Sequence, residues 1–519
     1  MNHFERELRR PDCPVDRVET FRYALLFTAL LGLLAHAFAF LNLHPSGDGL
    51  VAYYSDASND GEQMALGRIM VPLYRHLTGA SVSTPWTVGA LALLWLGLAV
   101  FLVARLLEVR EKPVLLMIAG IFVTNRTIIS LTGGFFPWLG TNSCSILLSV
   151  GAVMCWRLFS REKKWCLLAA GVGLTALSLG FYQSFLPTII TLIMVRSMLD
   201  LLQRRGGGEV VVNGLFGMGM ILLGGLSYYV MTTTVCRMMG VQMIAGTYNS
   251  MEVLWTNDQP ILARLVDCYK LIGAKFVLDT ASAYSRQVVA GVNTLLTLFS
   301  LSASLLLLRR RKVGGLETAL FLVLAAGLPM GANFMRMLSG MTHDLMFFAF
   351  WLLYLVPLLL ARELWKERQT FDWIRILSGV VCLCIGFLIF ANIQTANLVY
   401  TRKEVQYQST LSLMTKVMYD VERLEGYVEG ETQVAFVGTP HDVLISPPGT
   451  ETVASMIGIT LNSPISYNYR IYFRNVMQRQ VNAVTGEWLE EREEVQAMPR
   501  YPQRGYAAMI DETAVVRFR

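Results

Sequence analysis

The chain has 519 residues, of which 54% are hydrophobic and only 16% are charged, and its formal net charge is +6. A mean hydropathy of +0.46 excludes an ordinary soluble globular protein of this length. The basic residues form short clusters between apolar segments, so they indicate membrane topology and not a nucleic-acid surface.

Eleven apolar segments, taken in chain order, are predicted to cross a membrane as helices. Each has about 20 residues, the length that a helix needs to cross roughly 30 Å of hydrocarbon. The segments are 22–43, 86–106, 113–132, 141–159, 165–182, 186–203, 212–235, 289–308, 316–333, 345–362 and 374–395. The predicted fold class is therefore a polytopic α-helical membrane protein with about eleven transmembrane helices.

Clusters of Lys and Arg precede the first predicted span and follow every second span. They lie at 6–22, 105–110, 157–164, 204–205, 309–312 and 362–368. Because Lys and Arg concentrate in cytoplasmic segments, the N-terminal tail 1–21 is predicted to be cytoplasmic. The external side then holds the loops 44–85 and 236–288 and the C-terminal tail 396–519.

The tail 396–519 differs in composition from the predicted transmembrane domain 22–395. It carries 12 Lys and Arg against 15 Asp and Glu, a net charge of −3. Residues 404–424 are typical of a helix, 432–438 of a strand and 507–518 of a closing hairpin. These patterns predict a small external α/β domain.

The first predicted external loop contains the stretch YYSDASNDGEQMALGR at 53–68. Its charged residues are Asp56, Asp60, Glu62 and Arg68. Apolar residues recur at helical spacing over 60–78, which predicts one amphipathic surface helix kinked at Pro72. Asn59, Asp60 and Glu62 either cap this helix or belong to a site. Asp56 precedes the helix, where no cap is needed, so it is the preferred functional carboxylate.

Further polar residues lie near the external ends of other predicted spans. They are Asn125, Arg126, Tyr182, Gln183, Asn333, Arg336, His343 and Asp344. A charged side chain inside a span is costly unless it faces a polar cavity or a partner, so Arg126 is a candidate site residue. The alternative for Arg126 is a structural pair with an acid on a neighbouring helix. The alternative for Tyr182 and His343 is an interfacial role.

Carboxylates, arginines, amides and a phenol on one leaflet suit an enzyme that acts on a lipid-linked phosphosugar. Arginine binds phosphate through two hydrogen bonds and stays charged, so Arg126 and Arg336 are candidate ligands of the donor phosphate. A carboxylate can remove the proton of an acceptor hydroxyl as that hydroxyl attacks the anomeric carbon. Because this reaction is transfer and not hydrolysis, two flanking carboxylates are not required.

The sequence resembles the Gtr-type glucosyltransferases, which are bacterial O-antigen-modifying enzymes of the GT-C superfamily. The resemblance is carried by the acidic motif ahead of Gly67–Arg68, by the LGFYQSF segment at 179–185 and by the α/β tail. It implies a GT-C-like fold and glucosyl transfer from polyprenyl-phosphate-glucose to a surface glycan. The reaction would take place at the outer face of the bacterial cytoplasmic membrane, with membrane lipid around the enzyme and a separate flippase supplying the donor.

The resemblance also implies which residues form the site. The catalytic carboxylate belongs to the first external loop, which here means Asp56 or Asp60, and Asp56 is preferred. Arg68, Tyr182 and Gln183 match the Gly-Arg and Tyr-Gln positions of the family. Many members have two adjacent acids before the Gly-Arg pair, whereas this chain has them four residues apart, in DASND.

Other functions remain open on sequence grounds. They are transfer of another sugar, such as mannose or aminoarabinose, a polysaccharide polymerase, and a lipid-linked glycan flippase or transporter. A transporter is expected to carry charges through the bilayer midplane and broken helices in repeated halves. This sequence has neither feature, and a polymerase has less use for an acidic first loop.

Two further hypotheses concern a metal and a disulfide. Asp56, Asp60 and Glu62 offer oxygen ligands for a divalent cation. A monophosphate donor with arginine partners needs no metal, so metal-independent transfer is predicted and a divalent cation is the alternative. Cys236 and Cys268 both fall in the predicted loop 236–288, where a disulfide between them is a hypothesis.

Overall fold

The computed structural model describes residues 14–42, 44, 49–50, 57–79, 83–244, 259–278, 282–339, 342–367, 372–457, 461 and 466–519. Most of these residues are helical. In chain order the helices are α1 (Pro14–Leu41), α2 (Ala57–Ala65), α3 (Met70–Leu77), α4 (Pro85–Leu106), α5 (Lys112–Val123), α6 (Arg126–Gly134), α7 (Leu139–Glu162), α8 (Trp165–Phe181), α9 (Leu186–Leu202), α10 (Gly207–Met239), α11 (Ile261–Ile272), α12 (Arg286–Arg310), α13 (Gly315–Ala332), α14 (Phe334–Ser339), α15 (Phe348–Trp351), α16 (Leu355–Lys366), α17 (Asp372–Val421), α18 (Ser466–Tyr472) and α19 (Glu493–Ala497).

Nine helical stretches within these described ranges are long and apolar enough to cross a membrane. They are Arg17–Leu41, Pro85–Leu106, Phe136–Glu162, Gln183–Leu202, Gly207–Met239, Arg286–Arg310, Gly315–Ala332, Phe348–Lys366 and Asp372–Val421. The pair α5 and α6, bent by 40°, is a tenth candidate, and α8 is a shorter apolar helix of 17 residues. Each of the eleven predicted spans coincides with one of these helices, which indicates a polytopic membrane protein.

The bend between α5 and α6 is held by Asn125. Its side-chain amide donates to the carbonyls of Ile121 and Phe122 at 3.0 and 2.9 Å, and its oxygen accepts from the backbone N–H of Ile128 at 3.1 Å. The side chain therefore satisfies the last carbonyls of one helix and caps the next. Asn125 was predicted as a possible site residue, and its hydrogen bonds here are to the backbone of the break.

We expect Asn125→Ala to lower the free energy of unfolding by about 1–2 kcal/mol, because buried backbone groups lose their partners. Asn125→Ser keeps an oxygen at the cap and should lose less. Thermal unfolding of both variants in detergent measures the effect. Equal stability of Asn125→Ala and the native protein would contradict this account of the bend.

The short helix α8 packs closely between α7 and α10. The hydroxyl of Ser178 on α8 lies 3.0 Å from that of Ser145 and 2.8 Å from that of Ser149, both on α7. On its other side α8 meets Gly224 of α10, where an added Cβ would lie 2.6 Å from Thr175. Small residues and hydroxyls of this kind are what membrane helices use to approach one another.

The turns that carry the predicted basic clusters meet at one end of the bundle. Arg311 donates to the carbonyl of Leu202 at 3.2 Å, and Glu317 accepts from the backbone N–H of Gly207 at 2.9 Å. We call this end the basic end, with turns at 107–112, 157–164, 203–209, 311–317 and 362–367. The opposite end, here called the loop end, comprises 57–79, 124–138, 182–186, 259–278, 333–339 and 342–347. The predicted alternation of turns is therefore present in the fold.

A buried ion-pair network lies at the basic end. Arg157 donates to both carboxylate oxygens of Asp200, at 2.8 and 3.2 Å, and Arg196 donates to Asp200 at 2.6 Å. Glu108 adds contacts to the same two arginines at 3.4 and 3.2 Å. Arg157 was interpreted as a topology signal only, and it is in addition a buried member of this network, only 2% exposed.

The C-terminal part forms a four-stranded sheet of order β2-β1-β4-β3. Its strands are β1 (Gln433–Val437), β2 (Asn482–Thr485), β3 (Ala507–Ile510) and β4 (Thr513–Arg517). β1 pairs in parallel with β2 and β4, while β3 and β4 form an antiparallel hairpin. The predicted strand at 432–438 and the hairpin at 507–518 are confirmed, and β2 was not predicted.

One continuous helix joins the bundle to the sheet. α17 has 50 residues, contains the predicted span 374–395 and covers the predicted helix 404–424 as far as Val421. The predicted domain boundary at 395/396 therefore falls inside a helix. Near that point Met456 and Ile457 pack against Ile129 and Val399. An added Cβ at Gly133 would lie 2.5 Å from the carbonyl oxygen of Met456, so the sheet part contacts the loop end closely.

Candidate active site

The acidic loop is built differently from the prediction. Instead of one helix over 60–78, α2 and α3 are separated at 66–69, where Gly67 has a φ of +79°. That left-handed conformation favours glycine and ends α2. Pro72 lies in the first turn of α3, where proline is tolerated, so the predicted kink at Pro72 is wrong. Asn59 already lies within α2, so the helix does not begin there.

Of the two candidate carboxylates, the structure describes Asp60. Its side chain is half-buried and lies 3.6 Å from Nη1 of Arg75 on α3, while Glu62 on the same helix is exposed. Asp60 therefore points toward a buried cation. Asp56 and the side chain of Asn59 lie outside the described residues, so the preference for Asp56 stays a prediction.

A chain of hydrogen bonds connects the Gly-Arg segment to the Tyr-Gln segment. The amide of Gln183 donates to the carbonyl of Leu66 at 3.1 Å and to the hydroxyl of Tyr228 at 2.6 Å. The Tyr228 hydroxyl in turn donates to the carbonyl of Gly67 at 3.1 Å. Two elements far apart in sequence, the turn that carries Gln183 and the helix α10, are thus hydrogen-bonded to the backbone just before Arg68.

Arg68 itself lies over the ring of Tyr182. The guanidinium carbon is 4.8 Å from the ring centroid, and Nη1 donates to Gln63 at 3.3 Å. Tyr182 has an extended backbone between α8 and the 3₁₀ turn Gln183–Phe185, which brings both side chains of the Tyr-Gln pair to the loop end. The structure therefore brings together the predicted residues Arg68, Tyr182 and Gln183.

Arg126 belongs to a second cluster. It is buried at the start of α6, and its guanidinium lies 3.9 Å from the carboxylate of Asp344. Lys275 contacts the same carboxylate at 3.2 Å, and Thr127 donates to the backbone carbonyl of Asp344 at 3.1 Å. This arrangement matches the alternative of a pair with an acid from a neighbouring element.

The second cluster adjoins the first. The 3₁₀ turns Gln183–Phe185 and Asp344–Met346 contact each other, and the rings of Phe185 and Phe348 meet edge to face at 5.9 Å. His343, just before the second turn, is exposed. The predicted residues at 182–183 and 343–344 therefore lie on neighbouring turns of the loop end.

Arg336 and Asn333 form a third cluster with α11. Arg336 donates to Asp267 at 2.8 Å, and this hydrogen bond lowers the pKa of the Asp267 carboxyl below its ordinary value. The amide of Asn333 donates to the carbonyl of Cys268 at 3.3 Å. The contacts described for these two predicted residues are therefore with α11.

The hypothesis of a disulfide between Cys236 and Cys268 is wrong, because both are free thiols. The thiol of Cys236 donates to the carbonyl of Met64 at 3.4 Å, whereas that of Cys268 donates to the carbonyl of Asn333 at 3.6 Å. The two side chains thus pack against different segments.

Burial raises the pKa of Cys268 to about 11, so its thiol should react slowly. We expect native Cys268 to be alkylated at pH 8 at least about tenfold more slowly than exposed Cys166, and faster as the pH rises. Iodoacetamide labelling followed by peptide mass spectrometry measures both rates. The difference should vanish in SDS, and equal rates in the native protein would contradict the burial of Cys268.

Three contributors to the loop end were missed in the sequence. Tyr228 lies inside a predicted span, Lys275 in the predicted loop 236–288, and Arg75 in the predicted surface helix 60–78. Among the residues that the structure describes, no group of three or more His, Cys, Asp or Glu side chains could hold a metal ion.

Comparison with known proteins identifies the family. A family model described as glucosyl transferase GtrII matches residues 37–354, more than half of the chain. The match runs from within α1 to Tyr354, so it includes the acidic loop and all three clusters and leaves out the sheet. No curated protein matches the chain. The chain is therefore a membrane-spanning glycosyltransferase and belongs to the glucosyl transferase GtrII family.

Proposed function

We propose that the protein moves a glucosyl residue from a polyprenyl-phosphate-linked donor to a cell-surface glycan such as O-antigen. The observation that carries the proposal is the convergence of Arg68, Tyr182 and Gln183 within the family-matched region. A cation stacked on a phenol next to an amide offers partners for a phosphate and for sugar hydroxyls.

The reaction is proposed to take place on the extracytoplasmic face of the bacterial inner membrane. The basic end carries the clusters of Lys and Arg, which are typical of cytoplasmic loops. The loop end, with residues 44–85 and 236–288, then faces outward together with the sheet of the proposed domain 396–519. The N-terminal tail 1–21 is cytoplasmic in this arrangement, and a separate flippase brings the donor to the outer leaflet.

The chemical step needs one base and one anion-binding group. A carboxylate accepts the proton of the acceptor hydroxyl while the oxygen of that hydroxyl forms a bond to the anomeric carbon. The bond between that carbon and the phosphate oxygen breaks, and the phosphate leaves with the electron pair. Asp56 is proposed as the base and Asp60 as the second carboxylate.

The arginines divide into two groups by their contacts. Arg126 and Arg336 each have a carboxylate partner, Asp344 and Asp267 respectively. The described contacts of Arg68 are with a phenol and an amide, which are neutral, so its positive charge is better suited to attract a phosphate oxygen. We therefore propose that Arg68, Tyr182 and Gln183 bind the glucosyl-phosphate head of the donor. Arg126 and Arg336 add to the positive electrostatic potential around it without binding the phosphate directly.

The test uses purified protein in detergent with synthetic polyprenyl-phosphate-glucose and a glycan extract from the host. Native protein should consume the donor, and Asp56→Asn should lower turnover by about 10²–10⁴-fold, the usual contribution of a general base. Asp372→Asn, a carboxylate 95% exposed at the far end of α17, is the matched control and should leave turnover unchanged. Turnover should persist in EDTA.

Other outcomes assign the roles differently. Collapse in Asp60→Asn but not in Asp56→Asn would exchange the two carboxylates. Faster consumption of polyprenyl-phosphate-mannose than of the glucose donor would change the sugar. A native protein that leaves every monosaccharide donor untouched, yet binds or moves a longer lipid-linked glycan, would contradict transfer and favour a polymerase or a transporter.

A further inference from the structure

Helix α9 is covered by its neighbours except along one narrow stripe. It begins directly after the Gln183–Phe185 turn at the loop end and runs toward the basic end. Its residues are buried apart from Leu186, Ile190 and Met194, which are half-buried. Because these three side chains follow one another at every fourth residue, they lie on one face of the helix. The first half of α9 thus presents an apolar stripe that is one residue wide.

The stripe lies between α10 and α13. Ile193 and Met194 follow Ile190 by three and four residues, so they flank it on opposite sides of the helix surface. An added Cβ at Gly217 of α10 would lie 3.2 Å from Ile193. On the other side, an added Cβ at Gly331 of α13 would lie 2.7 Å from Met194. The exposed part of Ile190 therefore belongs to a groove whose floor is α9 and whose walls are α10 and α13.

The groove between α10 and α13 is closed toward the basic end. There the backbone N–H of Gly207 on α10 donates to Glu317 of α13 at 2.9 Å, and an added Cβ at Gly207 would lie 3.2 Å from Leu320. Ser197 and Leu201 of α9 are accordingly 5% and 0% exposed. Toward the loop end α10 contacts α2, whereas α13 contacts α11. The open part follows residues 186–194, a rise of roughly 12 Å.

The upper end of the groove is continuous with the Arg68–Tyr182–Gln183 cluster. Leu186 packs against a small apolar cluster that includes Tyr228, and the Tyr228 hydroxyl accepts from the amide of Gln183 at 2.6 Å. A positive charge, a polar amide and an apolar stripe therefore follow one another from the loop end into the span. A lipid with one chain and a phosphate has its groups in the same order. A stripe one residue wide suits a single chain better than the two chains of a phospholipid.

We infer that the groove between α10 and α13 binds the prenyl chain of the donor, beginning with the isoprene units next to the phosphate. The inference rests on the proposed function, since it adds a subsite for the chain of the same donor. The phosphate stays with Arg68, and the chain passes over Leu186, Ile190 and Met194 in that order. Because the groove is closed beyond Met194, the rest of the chain leaves sideways between α10 and α13 into the bilayer.

The experiment maps the chain by photolabelling native full-length protein in detergent. Two sugar-free polyprenyl phosphates are used, one with a diazirine on the isoprene next to the phosphate and one with it a few isoprenes further along. Peptide mass spectrometry should find the first label near Leu186, and the second near Met194 and on the adjoining part of α13. Labels spread evenly over lipid-facing helices, including α12, would overturn the inference. No substitution is needed for this measurement, so it does not depend on how a variant folds.

A binding measurement tests the floor of the groove with a radiolabelled polyprenyl phosphate that carries no sugar. Ile190→Thr should weaken binding severalfold, because apolar contact is lost and a hydroxyl faces the chain. Val288→Thr is the matched control, since Val288 is 48% exposed on α12, which packs against α16, and it should bind like the native protein. Equal affinities of the two variants would contradict a chain on Ile190.

Competition distinguishes a prenyl lipid from ordinary membrane lipid. Unlabelled polyprenyl phosphate should abolish photolabelling of the groove, whereas phosphatidylglycerol at the same concentration should not. Phosphatidylglycerol that competes as effectively as polyprenyl phosphate would assign the groove to bulk lipid and overturn the inference.

Donor turnover measured in parallel separates this inference from the proposed function. Turnover of polyprenyl-phosphate-glucose together with photolabelling outside the groove would overturn the chain subsite and leave glucosyl transfer intact. Specific labelling of the groove without turnover of any glucosyl donor would support the chain subsite and contradict glucosyl transfer.

Discussion

Asp200→Asn is expected to cause the largest loss of stability of any single charge removal at the basic end. The substitution leaves Arg157 and Arg196, which are 2% and 0% exposed, without the carboxylate that lies between them. Breaking a buried ion pair by removing one partner typically costs about 3–5 kcal/mol, because a buried charge stays uncompensated. Thermal unfolding in detergent should therefore show a markedly lower midpoint for Asp200→Asn.

The matched control is Glu162→Gln, which removes a carboxylate from an exposed pair with Lys164 and should cost less than about 1 kcal/mol. The triple variant Arg157→Met/Arg196→Met/Asp200→Leu should recover much of the loss, because apolar groups of similar size can replace a buried ion network. A midpoint for Asp200→Asn equal to that of the control would show that Glu108 alone compensates both arginines.

The second large effect is expected on activity, from Gln183→Leu. Leucine keeps the approximate size but removes the amide that donates to Leu66 and to Tyr228. The segment that carries Arg68 then loses its attachment to the 3₁₀ turn Gln183–Phe185 and keeps only the described hydrogen bond from Tyr228 of α10 to Gly67. Small misplacements at a reacting centre cost about 10²-fold in rate. Turnover of the glucosyl donor should fall by roughly this factor, with a smaller fall in Tyr228→Phe.

A double-mutant cycle tests whether the hydrogen bonds act as one unit. In the Gln183→Leu background Tyr228→Phe should slow turnover by a smaller factor than it does alone, because the Tyr228 hydroxyl has already lost the amide that orients it. Thr233→Val, five residues further along α10, removes an exposed hydroxyl whose described hydrogen bonds are to the carbonyls of Tyr229 and Val230 in the same helix, and it should keep native turnover. Losses that multiply in the double variant would argue against a connected chain.

The transmembrane helices could be predicted because each span shows as a run of about 20 apolar residues. The strand β1 and the β3–β4 hairpin could also be predicted from local patterns, because each strand is a short apolar run that ends at a glycine or at a charged turn. The predicted grouping of Arg68, Tyr182 and Gln183 came from a resemblance of short motifs. No local pattern relates residue 68 to residue 183, and the structure supplies the hydrogen bonds that join them.

The features that escaped prediction depend on tertiary contacts. Helical spacing of apolar residues continues from α2 into α3, so the break at Gly67 leaves no trace in the periodicity. Arg196 and Asp200 lie within an apolar run, and their contacts with Glu108 and Arg157, which are distant in sequence, explain how both charges are tolerated there. A cavity of about 290 Å³ beside Arg75 is lined by residues of α3, α4 and α7, which no sequence window contains together.

The continuous helix α17 also fixes the angular phase of the sheet relative to the bundle. Fifty residues span about 75 Å, of which a bilayer accounts for about 30 Å. One residue inserted in the middle of α17 would rotate everything beyond it by about 100° and raise it by about 1.5 Å. Seven residues would nearly restore the phase but raise the sheet by about 10 Å, away from Gly133. α17 thus determines both the distance and the rotation of the sheet relative to the bundle, and an insertion can preserve at most one of the two.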